Sequence, residues 1–168
     1  MAGPAAHILA TFDGVAPSWR DLIGRHVSDW HDDVCYILST KHDRGDPEAL
    51  RPFVGSLAKF EAGASGCEYD AAEIDAIQQA SGRTFSHVIC IAAMCNRELD
   101  HHLLCSTMAK VASEYNGFAD FDILDAPIDE LGMIRCEWTG NDPVCWTVLG
   151  DAVACQRWLK HPSFHMVK

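Results

Sequence analysis

The chain has 168 residues, which matches one ordinary domain and is long enough to bury a sizeable core. Its 48% hydrophobic and 22% charged residues are typical of globular proteins and argue against disorder. The 24 acidic and 13 basic side chains give a formal net charge of −11, which disfavours nucleic acid and anionic membrane as ligands. Such a charge favours a basic partner, although acidity can also serve solubility alone.

The sequence contains neither of the common membrane-targeting signals. The N-terminal residues lack the charged and apolar regions of a signal peptide, and no apolar run is long enough for a transmembrane helix. We therefore expect a cytoplasmic protein that does not contact membranes.

The eight cysteines carry no recognisable metal or redox pattern. None forms a C-x-x-C pair, and the cysteine and histidine spacing of zinc sites is absent. Cys35 and Cys90 lie within apolar stretches, where reduced cysteines act as small buried hydrophobic residues. We predict this role for most of them, and no cofactor.

The first half of the chain predicts two strands separated by a helix. Ala5 to Phe12 alternates between two faces, which is typical of a strand. A turn at Asp13-Gly14 precedes a helix through Trp19, Leu22, Ile23 and His26. Val34 to Ser39 is rich in β-forming residues, and the polar residues 41–47 after it predict an exposed loop.

The segment from Arg51 to Phe60 is ambiguous. Three apolar residues recur at helical spacing, whereas Pro52 and Gly55 weaken a helix. A helix therefore remains only one of the possibilities for this segment.

The middle of the chain predicts a helix followed by the most apolar strand. Asp70 and Glu73 have the spacing of a capping box, and Gly82 is suited to end the helix. Phe85 to Ala93 is apolar on both faces, which favours a central strand covered on both sides.

The remaining elements complete a single domain. A long helix begins near Asn96 and ends at Asn116-Gly117. Met133 to Trp138 and Val144 to Leu149 predict a hairpin, and Asp151 caps a last helix. This order predicts one α+β domain over residues 1–168, with helices packed on a mixed or antiparallel sheet.

The densest group of reactive side chains spans Cys95 to His102. A metal site there is disfavoured because His101 and His102 point about 100° apart on a helix. A structural role fits better, with Asn96 or Asp100 capping the helix. The acidic pairs Asp32-Asp33, Asp120/Asp122 and Asp129-Glu130 are typical of solvated edges. We predict no catalytic residue and no metal site.

Two stretches resemble a known kind of bacterial protein. Residues 93–121, AMCNRELDHHLLCSTMAKVASEYNGFADF, resemble a "CN…DH…DF" block, and residues 156–168, QRWLKHPSFHMVK, resemble a "WL.HP.F.M.K" C-terminus. Both are associated with small bacterial proteins that resemble immunity proteins encoded beside secreted polymorphic toxins. Where relatives often have Gly-Gly before the DF pair, this chain has Asn116-Gly117.

The resemblance implies a non-enzymatic inhibitor that binds a cognate toxin and covers its active site. An acidic surface could mimic the phosphates that a basic nuclease toxin binds, and it would speed association. We predict that exposed acids and one tryptophan form a one-sided partner-binding patch. Its residues are Trp30, Asp32, Asp33, Asp43 and Asp46.

Two alternatives to an immunity protein remain at this point. One is a small intracellular hydrolase or metal-dependent enzyme that uses the Cys95 to His102 region. The other is an adaptor domain outside toxin systems.

Overall fold

The strands of the computed structural model form one antiparallel sheet. The structure describes residues 3–38, 49–139 and 144–166. Its strands are β1 (Ala5–Ala10), β2 (Asp29–His31), β3 (Val34–Leu38), β4 (Leu50–Lys59), β5 (His87–Ala93), β6 (Phe118–Asp120), β7 (Ile134–Thr139) and β8 (Val144–Gly150). Their order across the sheet is β2-β3-β4-β5-β1-β6-β8-β7, and neighbouring strands run antiparallel.

Three of the five described helices begin after an N-cap residue whose side chain bonds the first turn. The five are α1 (Trp19–Ile23), α2 (Ala71–Ser81), α3 (Glu98–Glu114), α4 (Ile128–Leu131) and α5 (Ala152–Leu159). The side chains of Ser18, Asp70 and Asp151 accept backbone N–H groups at the starts of α1, α2 and α5. None of the described helices combines the length and the apolar character needed to cross a membrane. The predicted single α+β domain is confirmed, in its antiparallel form.

Strand alternation divides the core into two layers. Ile8, Ile89 and Phe53 point to the side covered by α1, α3 and α5, which we call the α3 face. Leu9 and Val88 point to the opposite side, where they pack with Ile74 and Ile77 of α2, and we call this side the α2 face. Four helices, α1, α3, α4 and α5, therefore contribute to the core on one face, whereas a single long helix packs on the other.

The ambiguous segment from Arg51 to Phe60 is the longest strand, β4. Its glycine, which weakens a helix, has a packing role here. The ring of Trp19 lies directly over Gly55 on the α3 face, where a side chain would not fit. Burial between β3 and β5 outweighs the helical spacing of its apolar residues.

Three short elements were not predicted from the sequence. β2 and β6 have three residues each and α4 has four, so none of them is long enough to show a periodic pattern. The predicted hairpin of β7 and β8, the long helix α3 and the last helix α5 are confirmed. The predicted loop at 41–47 lies outside the described residues.

The predicted role of the cysteines is confirmed for those in the core. All eight are free thiols, and Cys35, Cys105, Cys136 and Cys155 are buried. Burial raises the pKa of Cys35 to about 11 and that of Cys105 to about 12. Thiols with such values are poor nucleophiles at neutral pH, so these cysteines serve packing.

We expect Gly55→Ala to lower the free energy of unfolding by about 1–3 kcal/mol, because the added methyl group overlaps the Trp19 ring and the Cys90 carbonyl oxygen. Gly24→Ala is the matched control, since nothing lies near a methyl group there. Urea denaturation of both variants measures the difference. Equal stability of the two would show that Trp19 does not constrain β4.

Candidate functional site

An acidic cleft opens on the α2 face beside the first turn of α2. Its volume is about 310 Å³. The register of β1 with β6 places His7 next to Asp120, and both side chains line the cleft. The full lining consists of Ala5, Ala6, His7, Glu68, Tyr69, Glu73, Asp120, Asp122 and Thr147.

Asp120 lies at the floor of the cleft and is only 6% exposed. Its Oδ2 accepts the Tyr69 hydroxyl at 2.7 Å, and its Oδ1 accepts the backbone N–H of Asp122 at 2.8 Å. The Thr147 hydroxyl also donates to Oδ1. Three donors from three parts of the chain therefore hold this buried carboxylate in one orientation.

Tyr69 forms one wall of the cleft. Its ring makes edge contacts with His7 and Phe60, with ring centres 5.5 and 5.0 Å apart. Burial, followed by the negative charge of Asp120, raises the pKa of the Tyr69 hydroxyl well above its usual value. The hydroxyl therefore stays protonated and donates a hydrogen bond to Asp120.

Glu73 is a cleft carboxyl group whose pKa is raised towards neutral pH. It lies in the first turn of α2, where its backbone N–H donates to the Asp70 carboxylate at 2.9 Å. Burial, followed by the charges of Asp120 and Asp70, raises the pKa of Glu73 to about 7. The charge of the cleft therefore depends on pH in the neutral range.

Two exposed carboxylates, those of Glu68 and Asp122, extend the negative charge to the rim. Asp122 has a backbone φ of 54°, a left-handed conformation that Asp tolerates better than most residues. The described lining residues include four carboxylates and neither lysine nor arginine. The cleft is thus suited to receive a cationic group.

Sequence reasoning missed this site. It treated the Asp120/Asp122 pair as a solvated edge, which is correct for Asp122 and wrong for Asp120. Period-two alternation could not have separated the two, because residues 120 and 122 would share one face of a strand and only Asp120 belongs to β6. Nothing in the sequence indicated that Tyr69 and Thr147 would meet Asp120 across 51 and 27 residues.

The Cys95 to His102 region has structural contacts. Asp100 is fully buried and accepts Arg51 Nε at 2.7 Å and Arg51 Nη2 at 3.1 Å. It also accepts the Arg97 N–H at 2.8 Å, so it caps α3 as expected for one of the two candidates. The ion pair connects β4 to the first turn of α3.

The two histidines of this region diverge, as their spacing predicts. The Nε2 atom of His101 lies 2.9 Å from Asn96 Oδ1. The Nδ1 atom of His101 accepts a hydrogen bond from the Met166 N–H at 3.0 Å. His102 packs against Phe164 with ring centres 4.7 Å apart. Across residues 3–38, 49–139 and 144–166, no three His, Cys, Asp or Glu residues are grouped as metal ligands.

Three of the predicted partner-binding residues, Trp30, Asp32 and Asp33, do not line the cleft. Trp30 of β2 is partly buried against the α3-face core, and the Arg20 guanidinium lies 4.9 Å from its ring centre. Asp32 and Asp33 are exposed in the turn between β2 and β3. The Arg20 guanidinium also donates to the Asp32 carbonyl, which places positive charge beside this turn. Asp43 and Asp46 lie outside the described residues.

We expect Glu73→Gln to change how stability depends on pH. The pKa of Glu73 in the folded protein, about 7, exceeds its ordinary value of 4.5. The folded state therefore binds this proton more tightly, and stability decreases as pH rises from about 4.5 to 7. Discounted for partial exposure, the loss is on the order of 1 kcal/mol, and the glutamine variant should not show it.

Urea denaturation at several pH values measures this difference between variant and wild type. Glu130→Gln on α4 is the control, because it removes an exposed carboxylate outside the cleft. A difference between wild type and Glu73→Gln that stays constant from pH 4.5 to 7 would contradict the assignment.

We expect Arg51→Met to cost about 3–5 kcal/mol of unfolding free energy, because it leaves the buried Asp100 carboxylate without its cation. Arg25→Met removes a pair with Glu114 whose arginine is 78% exposed, and should cost at most about 1 kcal/mol. Chemical denaturation compares the two, and equal costs would contradict a buried charge pair.

Comparison with known proteins gives a family and no activity. No curated protein and no solved structure matches the chain. A family model described as "Family of unknown function (DUF6368)" matches residues 2–168. The chain therefore belongs to the DUF6368 family, whose function is unknown.

Proposed function

We propose that this protein is a stoichiometric inhibitor of the immunity type, which binds a toxin through a basic segment and blocks the toxin's active site. The acidic cleft is the observation that carries this proposal. It concentrates four carboxylates around one cavity on a chain that already has a net charge of −11.

The cleft combines long-range attraction with a fixed contact point. The rim carboxylates of Glu68 and Asp122 would attract a basic surface and raise the association rate. At the floor, Asp120 is preorganised by three donors, so its orientation does not have to be fixed on binding. A lysine or arginine side chain of the toxin has the charge and length to reach it.

The alternative is a small hydrolase or a metal-dependent enzyme that uses the Cys95 to His102 region. It has less support, because Asp100, His101 and His102 have the structural contacts described above. An enzyme would protect against the toxin at substoichiometric ratios, whereas an inhibitor protects only when it equals or exceeds the toxin.

We expect the product of the neighbouring gene to co-purify with this chain in a one-to-one complex and to lose its toxicity on co-expression. Titration against the purified toxin measures the ratio at which protection is complete. A neighbouring product that is toxic alone, yet neither binds this chain nor is suppressed by it, would overturn the proposal. Protection far below equimolar amounts would favour the enzyme.

We expect the double variant Glu68→Gln with Asp122→Asn to slow association with this toxin about tenfold at low salt, because it removes two rim charges. Asp129→Asn with Glu130→Gln on α4 is the matched control, with the same charge change outside the cleft. Stopped-flow binding at two salt concentrations measures both. Equal rates for the two double variants would exclude the cleft as the entry site.

A further inference from the structure

Part of the α2 face is left open by the helices. Tyr36 pairs with Pro52, and Val54 pairs with Ala92, which pairs in turn with Ala5. These five side chains lie on the same face as Leu9 and Val88, and each is half-buried or exposed. We call this surface the open sheet face.

The open sheet face belongs to neither of the two core clusters. The cluster that contains α2 reaches the strands β1, β5 and β4 only at their other ends, through Leu9, Val88 and Ala58. On the α3 face of the same strands, by contrast, Cys35 and Phe53 are fully buried. Within residues 3–38, 49–139 and 144–166, no helix contributes to a core cluster with the five residues of the open sheet face.

An exposed methionine extends this apolar surface. Met94 follows β5 and is 48% exposed, although it is a large hydrophobic residue. Its backbone N–H donates to the Pro52 carbonyl at 3.0 Å, which places it beside the open sheet face. Exposed apolar patches of this kind mark interaction sites on proteins.

The open sheet face leads directly into the acidic cleft. Ala5 belongs to both, since it pairs with Ala92 and also lines the cleft. The strands β1 to β5 contain two residues with permanent positive charge, Arg51 and Lys59. Arg51 forms an ion pair with Asp100 of α3. Lys59 lies opposite His87 in the sheet, and His87 lies opposite Ala10 of the α3-face core, so Lys59 belongs to the α3 face. The α2 face of these strands therefore carries neither lysine nor arginine, and at Ala5 it adjoins the carboxylates of the cleft.

We propose that the open sheet face binds an amphipathic, cationic helix of the partner protein, with its apolar side on Val54 and Ala92 and a basic side chain in the cleft. This inference rests on the proposed function and names the partner's chemistry. The basic side chain follows from charge complementarity with the cleft. A helix fits because antiparallel sheets of this class are covered by helices, as α2 covers the same face further along.

The dimensions agree with this occupant. Four strands, β3 to β1, span three inter-strand spacings, or about 14 Å. A helix with its side chains is about 10–12 Å in diameter. The width of the open sheet face is therefore sufficient for one helix, which could still reach the cleft at the Ala5 end.

The first test uses a defined probe in place of the partner. We would measure binding of a synthetic 18-residue peptide of leucine and lysine with its leucines on one helical side. The comparison is a peptide of the same composition with scrambled order. We expect the amphipathic peptide to bind about tenfold more tightly. Equal binding of both peptides would show attraction by charge alone and overturn the proposal.

Variants locate the site of binding. Val54→Arg should weaken binding of the amphipathic peptide about tenfold or more, because it places a cation on the apolar contact. Val153→Arg is the matched control, since Val153 is 53% exposed on α5. Met94→Lys, at an exposed position, serves as a second variant if Val54→Arg does not fold. Unchanged binding by the folded variants would overturn the proposal.

The toxin complex separates this inference from the proposed function. If the wild-type chain binds the toxin and Val54→Arg binds equally well, the open sheet face is not the interface, although the inhibitor assignment stands. If neither binds, the proposed function fails. Concentration-dependent dimerisation of the free chain that Val54→Arg abolishes would identify a second copy as the occupant and overturn the proposal.

Discussion

The structure depends on one constraint, which is that a sheet of eight strands has two faces to cover. Four helices, α1, α3, α4 and α5, contribute to the core on the α3 face. Only α2, with the loop before it, packs on the other face. The α2-face core reaches β1, β5 and β4 only at Leu9, Val88 and Ala58, so the opposite ends of these strands stay open on this face. The cleft lies at the first turn of α2. Both candidate binding surfaces therefore follow from the incomplete cover of one face.

Polar groups are treated differently on the two faces. On the α3 face, the Arg51–Asp100 pair is buried with little solvent contact, and it ties β4 to α3. On the α2 face, Asp120 is equally well bonded, yet it lies at the floor of a cavity. Burial, followed by the negative charges of Asp120 and Asp70, raises the pKa of Glu73 beside it to about 7. The charges of Arg51 and Asp100 neutralise each other, whereas the carboxylates that line the cleft are not balanced by a lysine or arginine among the lining residues.

Elements with a long, regular pattern could be predicted from the sequence, and short or mixed ones could not. The cap at Asp70 and the glycine at Gly82 predicted α2 because both signals are local. β4 was ambiguous because its strand character comes from pairing with β3 and β5 rather than from its own pattern. The cleft was missed because its bonds join residues far apart, such as Tyr69 and Asp120.

The sequence by itself determined the α+β class, the acidic charge and the main helix boundaries, because composition, periodicity and caps act over a few residues. It predicted burial for most cysteines, and four of the eight are buried, whereas Cys90 is only half-buried. Only the tertiary structure decided which acids are buried, which histidines are structural and which part of the sheet is open. Those properties depend on strand order and register, and a shift of one residue in β6 would turn Asp120 to the opposite face. Asp120, which the sequence pattern placed at a solvated edge, is therefore a buried carboxylate in the fold.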